Sequence, residues 1–153
     1  MDGKSLILIS GKARAGKDTF ALGLDGYTKF AFADQLKKFA IQLGWDGYKD
    51  ERGRKLLQNL ASVVREYNKH TWVHLLCKRL EQTRYPNKIV ITDCRYLNEM
   101  WMMKEWGKKN LYTVTTIRIN RPDFNNGLTE EMKRHPSETE LDEYPFDHTI
   151  VNS

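Results

Sequence analysis

The chain has 153 residues, 40% of them apolar and 29% charged, with a formal net charge of +5. That length suits one domain with a core of its own, so no second domain is expected, and no apolar run approaches the roughly 20 residues that a membrane span requires. The first residues lack the regions of a signal peptide, and Cys77 and Cys94 have neither zinc-site nor disulfide-scaffold spacing, so a soluble, cytoplasmic chain with both thiols reduced is expected.

The first element is the apolar run Leu6-Ile7-Leu8-Ile9, which reads as a fully buried strand. It leads directly into Ser10-Gly11-Lys12-Ala13-Arg14-Ala15-Gly16-Lys17-Asp18-Thr19, and a helix-compatible segment, Phe20 to Leu24, follows. Strand, Gly-x-x-x-x-Gly-Lys and helix in that order make a phosphate-binding loop. Wrapping a polyphosphate in backbone N–H groups requires little side-chain bulk at the turning points, here Gly11 and Gly16. The helix beginning near Gly16 adds its N-terminal dipole, and Lys17 supplies a mobile ammonium for the β- and γ-phosphates. Asp18 stands where Ser or Thr usually follows the lysine, and Thr19 comes one position later. A carboxylate beside bound phosphate is repulsive unless a cation lies between, so Asp18 is expected to face Mg²⁺ through water, or the attacking group.

Tyr27 to Phe32 alternates and reads as a second strand, with Asp34 as N-cap of a helix that turns Leu36, Phe39, Ala40 and Leu43 inward and ends at Gly44. Lys37 and Lys38 flank that stripe. After a loop from Trp45 to Asp50, helical periodicity returns from Arg54 to about Lys69. One stripe is apolar (Leu57, Leu60, Ala61, Val64), and the other, Arg54, Gln58, Ser62 and Arg65, could line a cleft. A further helix turns Val73, Leu76, Cys77 and Leu80 inward. Lys88 to Asp93 is an apolar strand ending in an acid, at the edge where α/β sheets put their ligands. In phosphate-loop enzymes such an acid holds Mg²⁺, directly or through water; the alternative is that Asp93 caps the helix beginning near Leu97. Arg95 would project over the same site.

That helix carries Leu97, Met100 and Trp101 as packing groups and ends near Gly107, and Leu111 to Ile119 is a further strand. The stretch from Arg121 to His135 is polar and charged, a mobile flap or a solvated loop. Ser137-Glu138-Thr139-Glu140 reads as a capping box for a short helix, and Thr149 to Val151 as a last strand. Strands alternating with helices give a central parallel sheet with helices on both faces, a three-layer α/β fold. The basic pI of 9.2 admits a nucleic-acid-binding NTPase, but Lys and Arg are spread along the chain rather than gathered in a tail, which suits a cleft for two phosphorylated small molecules.

Four stretches together resemble the deoxynucleoside monophosphate kinases of phages, P-loop kinases with the animal-type phosphomevalonate kinases as relatives. They are Gly11 to Thr19, Phe30 to Lys37, Thr92 to Glu99, and His135-Pro136-Ser137-Glu138 with Asp147 to Asn152 behind it. The Gly-Lys-Asp-Thr variant at Gly16 to Thr19 is typical of that family. The resemblance implies a single P-loop kinase domain over 1–153, with an acceptor-binding helical region at about 34–70 and a short lid at about 121–135. It implies transfer of the ATP γ-phosphate to a (deoxy)nucleoside monophosphate, or to another phosphorylated acceptor such as phosphomevalonate. Under it, Gly11, Lys12, Ala13, Arg14, Ala15, Gly16, Lys17, Asp18 and Thr19 bind ATP, and Asp93 and Thr19 hold Mg²⁺. Lys17, Asp18, Arg95 and the lid arginine Arg121 serve transfer, with Arg134 also in the lid. Phe32, Lys37, Gln58, Arg65, Asp93 and Arg95 surround the acceptor. ATP, Mg²⁺ and a nucleoside monophosphate are the implied partners in a cytoplasm, that of the host for a phage-encoded chain, with no membrane or stable nucleic-acid partner and homodimerisation left open.

Overall fold

A computed structural model of the chain describes residues 3–12, 14–122, 125 and 127–152. Strands β1 (Lys4–Ser10), β2 (Thr28–Phe30), β3 (Lys88–Ile91), β4 (Tyr112–Asn120) and β5 (His148–Val151) form one sheet in the order β2-β3-β1-β4-β5, with every pairing parallel. The helices between them are α1 (Lys17–Leu22), α2 (Ala33–Gln42), α3 (Glu51–Tyr67), α4 (Thr71–Gln82), α5 (Leu97–Lys109), α6 (Glu130–Arg134) and α7 (Pro136–Thr139). The fold is α/β in three layers, as expected.

The apolar run of β1 explains its central place. Its side chains alternate between two faces, so a strand apolar at every position needs cover on both. Leu6 and Leu8 join Phe30, Ile89, Ile91 and the inward residues of α2, α4 and α5, whereas Ile7 and Ile9 join Val90, Ile117 and Ala21 of α1. Helices therefore cover both faces. At the carboxyl end of the sheet, the loop after β1 lies beside the end of β3, because those two strands are paired. From there the chain passes from β1 beyond β3 to β2, and from β3 beyond β1 to β4, so the two connections run in opposite directions, the kind of crevice in which open α/β sheets bind ligands.

Several boundaries differ from the sequence reading. β2 stops at Phe30, and Phe32 occupies the N-cap position of α2, so Asp34 lies inside the first turn. Of the inward stripe expected on α2, Leu36 and Ala40 are buried, but Phe39 is 40% and Leu43 71% exposed. Trp101, expected to pack, is 66% exposed, whereas Met100, Met103 and Trp106 fill the core. α7 is capped by His135 rather than Ser137: Pro136 supplies the preset φ of a first helical position, and the His135 ring accepts from the Ser137 N–H. Among the described residues no helix is long and apolar enough to cross a membrane, and both cysteines are free.

Candidate active site

The glycine loop joins β1 to α1, and its two glycines sit where any larger residue would collide. A Cβ at Gly11 would lie 2.6 Å from the Ile119 carbonyl of the neighbouring strand. Gly16 has φ +101°, in the left-handed region, and a Cβ there would meet the Asn152 side chain at 2.5 Å. Asn152 in turn donates from Nδ2 to the Ala15 carbonyl at 3.1 Å, so the chain after β5 steadies the loop. Lys17 opens α1 and folds its ammonium back onto the loop, donating to the carbonyls of Gly11 at 2.5 Å and Lys12 at 3.2 Å. Burial, reinforced by the nearby Arg95 charge, lowers the Lys17 ammonium to about 7, although Glu138, Asp93 and Asp18 oppose the shift.

Asp18 pairs at 2.9 Å with Lys29 of β2. Burial alone would raise its carboxyl, but the hydrogen bond and charge of Lys29, with Lys49 and Lys17, hold it below the ordinary value. The cation beside this carboxylate thus comes from the protein. Thr19 is exposed and does not line the cleft. Successive helical residues are about 100° apart, so with Lys17 and Asp18 facing inward Thr19 turns away. Thr19, expected at the metal, is thus not among the residues that the cavity brings together.

Asp93, just past β3, makes a two-pronged contact that its sequence position does not announce. Its Oδ1 accepts from the Phe32 N–H at 2.8 Å and its Oδ2 from the Ala33 N–H at 2.9 Å. It caps α2, not the helix beginning at Leu97. That second helix is finished instead by Glu99, whose Oε1 accepts from the N–H groups of Arg95 and Tyr96. Arg95 is aimed by Glu138: Nη1 reaches the buried Glu138 carboxylate at 2.6 Å and the Ser137 carbonyl at 3.3 Å. A charge-assisted bond of that length fixes a guanidinium that would otherwise sample many rotamers.

A cavity of about 530 Å³ runs from the glycine loop to α3. Of the residues expected in the site it brings together Arg14, Lys17, Asp18, Phe32, Lys37, Gln58, Arg65, Asp93 and Arg95. Of the polar stripe expected on α3, Arg54, Gln58 and Arg65 face it, together with Leu57 and Ala61 of the apolar one. Gln58 donates to Ser137 Oγ at 3.2 Å, and Ser62 Oγ lies 2.8 Å from His135 Nε2. Arg65 stacks its guanidinium 3.5 Å above the Tyr96 ring and donates to Asn98 Oδ1 at 3.0 Å. Because the His135 Nδ1 accepts from Ser137 N–H, the ring's proton lies on Nε2, pointing to Ser62, and burial lowers the imidazole below its ordinary value against the pull of Glu138.

The lid residues arrive differently. Arg121 donates to the Arg14 carbonyl at 3.4 Å and does not line the cavity, and Arg134 is exposed at the outer end of α6. What this stretch turns inward is Leu128, Met132 and, at its end, His135, because a helix as short as α6 has one buried face and leaves its charged residues outside. Lys12 points away too, to the Glu138 carbonyl at 2.8 Å and Asp142 at 3.1 Å. Ala13, Asp123, Phe124 and Asn126 lie outside the described residues. The cleft also contains groups the sequence reading gave no role, Lys29, Trp72, Tyr96 and Glu99, and it contains Lys49, whose basic-aromatic stretch Trp45-Tyr48-Lys49-Arg52 reads as a weak nucleic-acid contact or as a cleft rim or solvated loop. Lys49 sits against Lys37, and burial together with that ammonium pushes Lys49 below its ordinary value. Only Tyr96, Glu99 and Glu138 stood in stretches that carried the family resemblance, and no local motif marked Lys29.

No family model and no curated protein matches the chain. Among solved structures it is similar to a mutant of an APS kinase from Mycobacterium tuberculosis, at 9% identity, over 99% of this chain and 87% of that one, with a TM-score of 0.43. A likeness of that size carries no argument about this chain.

Proposed function

We propose that the protein transfers the γ-phosphate of ATP to a deoxynucleoside monophosphate, giving ADP and the diphosphate. The observation that carries this reading is the single cleft that joins the glycine loop with Lys17 to a second anchored cation, Arg65, on α3, with Arg95 also on its wall. A hydrolase acting on one nucleotide needs the first cation but not a second anion site beyond it.

In this reading the loop holds the ATP phosphates, and Lys17 leaves its two carbonyl partners for the β- and γ-oxygens. Arg95, held by Glu138, meets the transferring group. Lys37 and Arg65 hold the acceptor's phosphate and orient it. The acceptor phosphate is already an anionic nucleophile, so the protein's work is alignment and neutralisation of charge on the equatorial oxygens. Among the described residues no group of three His, Cys, Asp or Glu side chains could form a metal cage. Mg²⁺ does not need one, because it keeps several waters and is bound through one or two carboxylates plus substrate phosphates. Asp93, whose oxygens also cap α2, and Asp18, which also pairs with Lys29, are the cleft carboxylates that would hold the ion, and its charge would neutralise the phosphates.

The direct test is ADP release by the purified protein across deoxynucleoside and ribonucleoside monophosphates, with phosphomevalonate and single-stranded DNA in parallel. Turnover that depends on a monophosphate supports the reading; ADP release that needs no acceptor, or that DNA stimulates, overturns it. A second test uses Asp93→Asn. Asparagine keeps one acceptor for α2 but sets an NH₂ against the other backbone N–H, so unfolding stability should fall by about 1–3 kcal/mol. If Asp93 also serves the metal, the Mg²⁺ concentration for half-maximal turnover should rise several-fold as well. A lower melting temperature with an unchanged Mg²⁺ requirement would leave Asp93 as a helix cap alone.

A further inference from the structure

Resting on the reading of the cleft as a nucleoside monophosphate site, we propose that Glu99 selects the acceptor's base, its free carboxylate oxygen accepting a hydrogen bond from an N–H on the base edge. Glu99 is the third residue of α5 and is 4% exposed. Oε1 alone finishes the helix, accepting from Arg95 N–H at 2.8 Å and Tyr96 N–H at 3.1 Å. Among the described residues Oε2 has no hydrogen-bond partner. It is not sealed in protein either: Glu99 lines the cleft, and Trp106 Nε1 is the one fully enclosed side-chain polar atom there without a partner.

Capping does not explain a glutamate here. At the third helical position Glu and Gln serve equally, since either supplies the one oxygen required. Glutamine would avoid burying an ionisable group; burial, with the neighbouring Asp93 charge, raises the Glu99 carboxyl to about 8 despite the two backbone hydrogen bonds and the Arg65 charge, so the empty cleft keeps a proton at neutral pH that is released when an N–H donor binds Oε2 and favours the carboxylate. A ligand donor at Oε2 relieves that cost. A phosphate is the wrong partner, because two anions repel, so this part of the cleft suits an uncharged, hydrogen-bond-donating part of the acceptor. The cleft walls include Phe32, Leu36, Leu57, Ala61 and Trp72, apolar surfaces suited to the faces of a flat heterocycle. An aromatic ring with N–H groups on its edge meets both demands.

The test measures kcat/KM for the four common deoxynucleoside monophosphates with the wild type and with Glu99→Gln. Glutamine keeps the capping oxygen and the volume but turns an NH₂ toward the base. The preferred acceptor should lose about tenfold or more, while an acceptor presenting a carbonyl or ring nitrogen at that point should be spared or gain, so the order of preference changes. A uniform loss, as expected from damage to α5 or contact with the sugar, or an unchanged order would overturn the proposal. Binding of base analogues to the wild type, each lacking one N–H, gives an arm that needs no variant: one analogue should bind about tenfold more weakly, and equal binding of all overturns it. If the wild type phosphorylates no monophosphate, the proposed reaction itself fails; if it does and neither arm discriminates, only the role of Glu99 fails.

Discussion

Lys17→Ala is expected to lower kcat at least about a hundredfold, the scale of removing one preorganised charge from a water-poor site. The same variant should melt no lower than the wild type. Burial and the Arg95 charge already depress the Lys17 ammonium to about 7, which means the charged form is disfavoured in the empty protein. Deleting a group held against its preference does not weaken the fold. The sign of the proton linkage follows. Bound phosphates favour the charged form and raise this pKa back toward 10.5, so between pH about 7 and 10 ATP binding takes up as much as one proton. Calorimetry at pH 8 in buffers of different ionisation enthalpy reads that uptake directly, and it should vanish in Lys17→Ala. A folded variant with near-normal turnover, or no proton uptake by the wild type, would remove Lys17 from the phosphate site.

Arg65→Ala is expected to raise the KM for the acceptor about ten- to a hundredfold and to leave ATP affinity within a few-fold of normal. A monophosphate dianion needs a charge-assisted partner, and losing one such contact costs about 1.5–3 kcal/mol. Arg65 is well prepared for the task. Its plane rests on Tyr96 at 3.5 Å, and Asn98 Oδ1 holds one end at 3.0 Å, so little rotamer freedom remains to be lost on binding. Arg65→Lys should recover only part of the affinity, because an ammonium reproduces neither the flat stack nor the fork. If Arg65→Ala weakens ATP instead and spares the acceptor, α3 does not line the acceptor site.

What could be read from the sequence follows from how local each signal is. The strand–loop–helix of residues 6–22 was legible because a run buried on both faces and two sterically required glycines leave their mark within one short stretch. The two stripes of α3 were legible for the same reason: a helix writes its faces into its own periodicity. The capping alternative for Asp93 named the wrong helix, since a cap that joins residue 93 to residues 32 and 33 has no local spacing to betray it. Lys29 was missed because nothing in its neighbourhood distinguishes a cleft lysine from a solvated one. Asp34, Trp101 and Ser137 misled for the converse reason, each having a good local motif that tertiary packing overrode. The lid arginines were placed by family resemblance alone, and the structure turns Leu128 and Met132 inward instead.

The cleft wall also accounts for the chain's basic character. Among the described residues eight Lys and Arg side chains and five Asp and Glu side chains line it, so a surplus of three positive charges, out of a net +5 for the whole chain, is gathered around one hollow. Low-dielectric walls focus such a field outward. Polyanions are therefore drawn in along field lines before any contact forms, and their association rate should fall steeply as ionic strength rises. In the proposed reaction, release of a charged product works against the same attraction, so the departure of ADP is the step this surplus would slow.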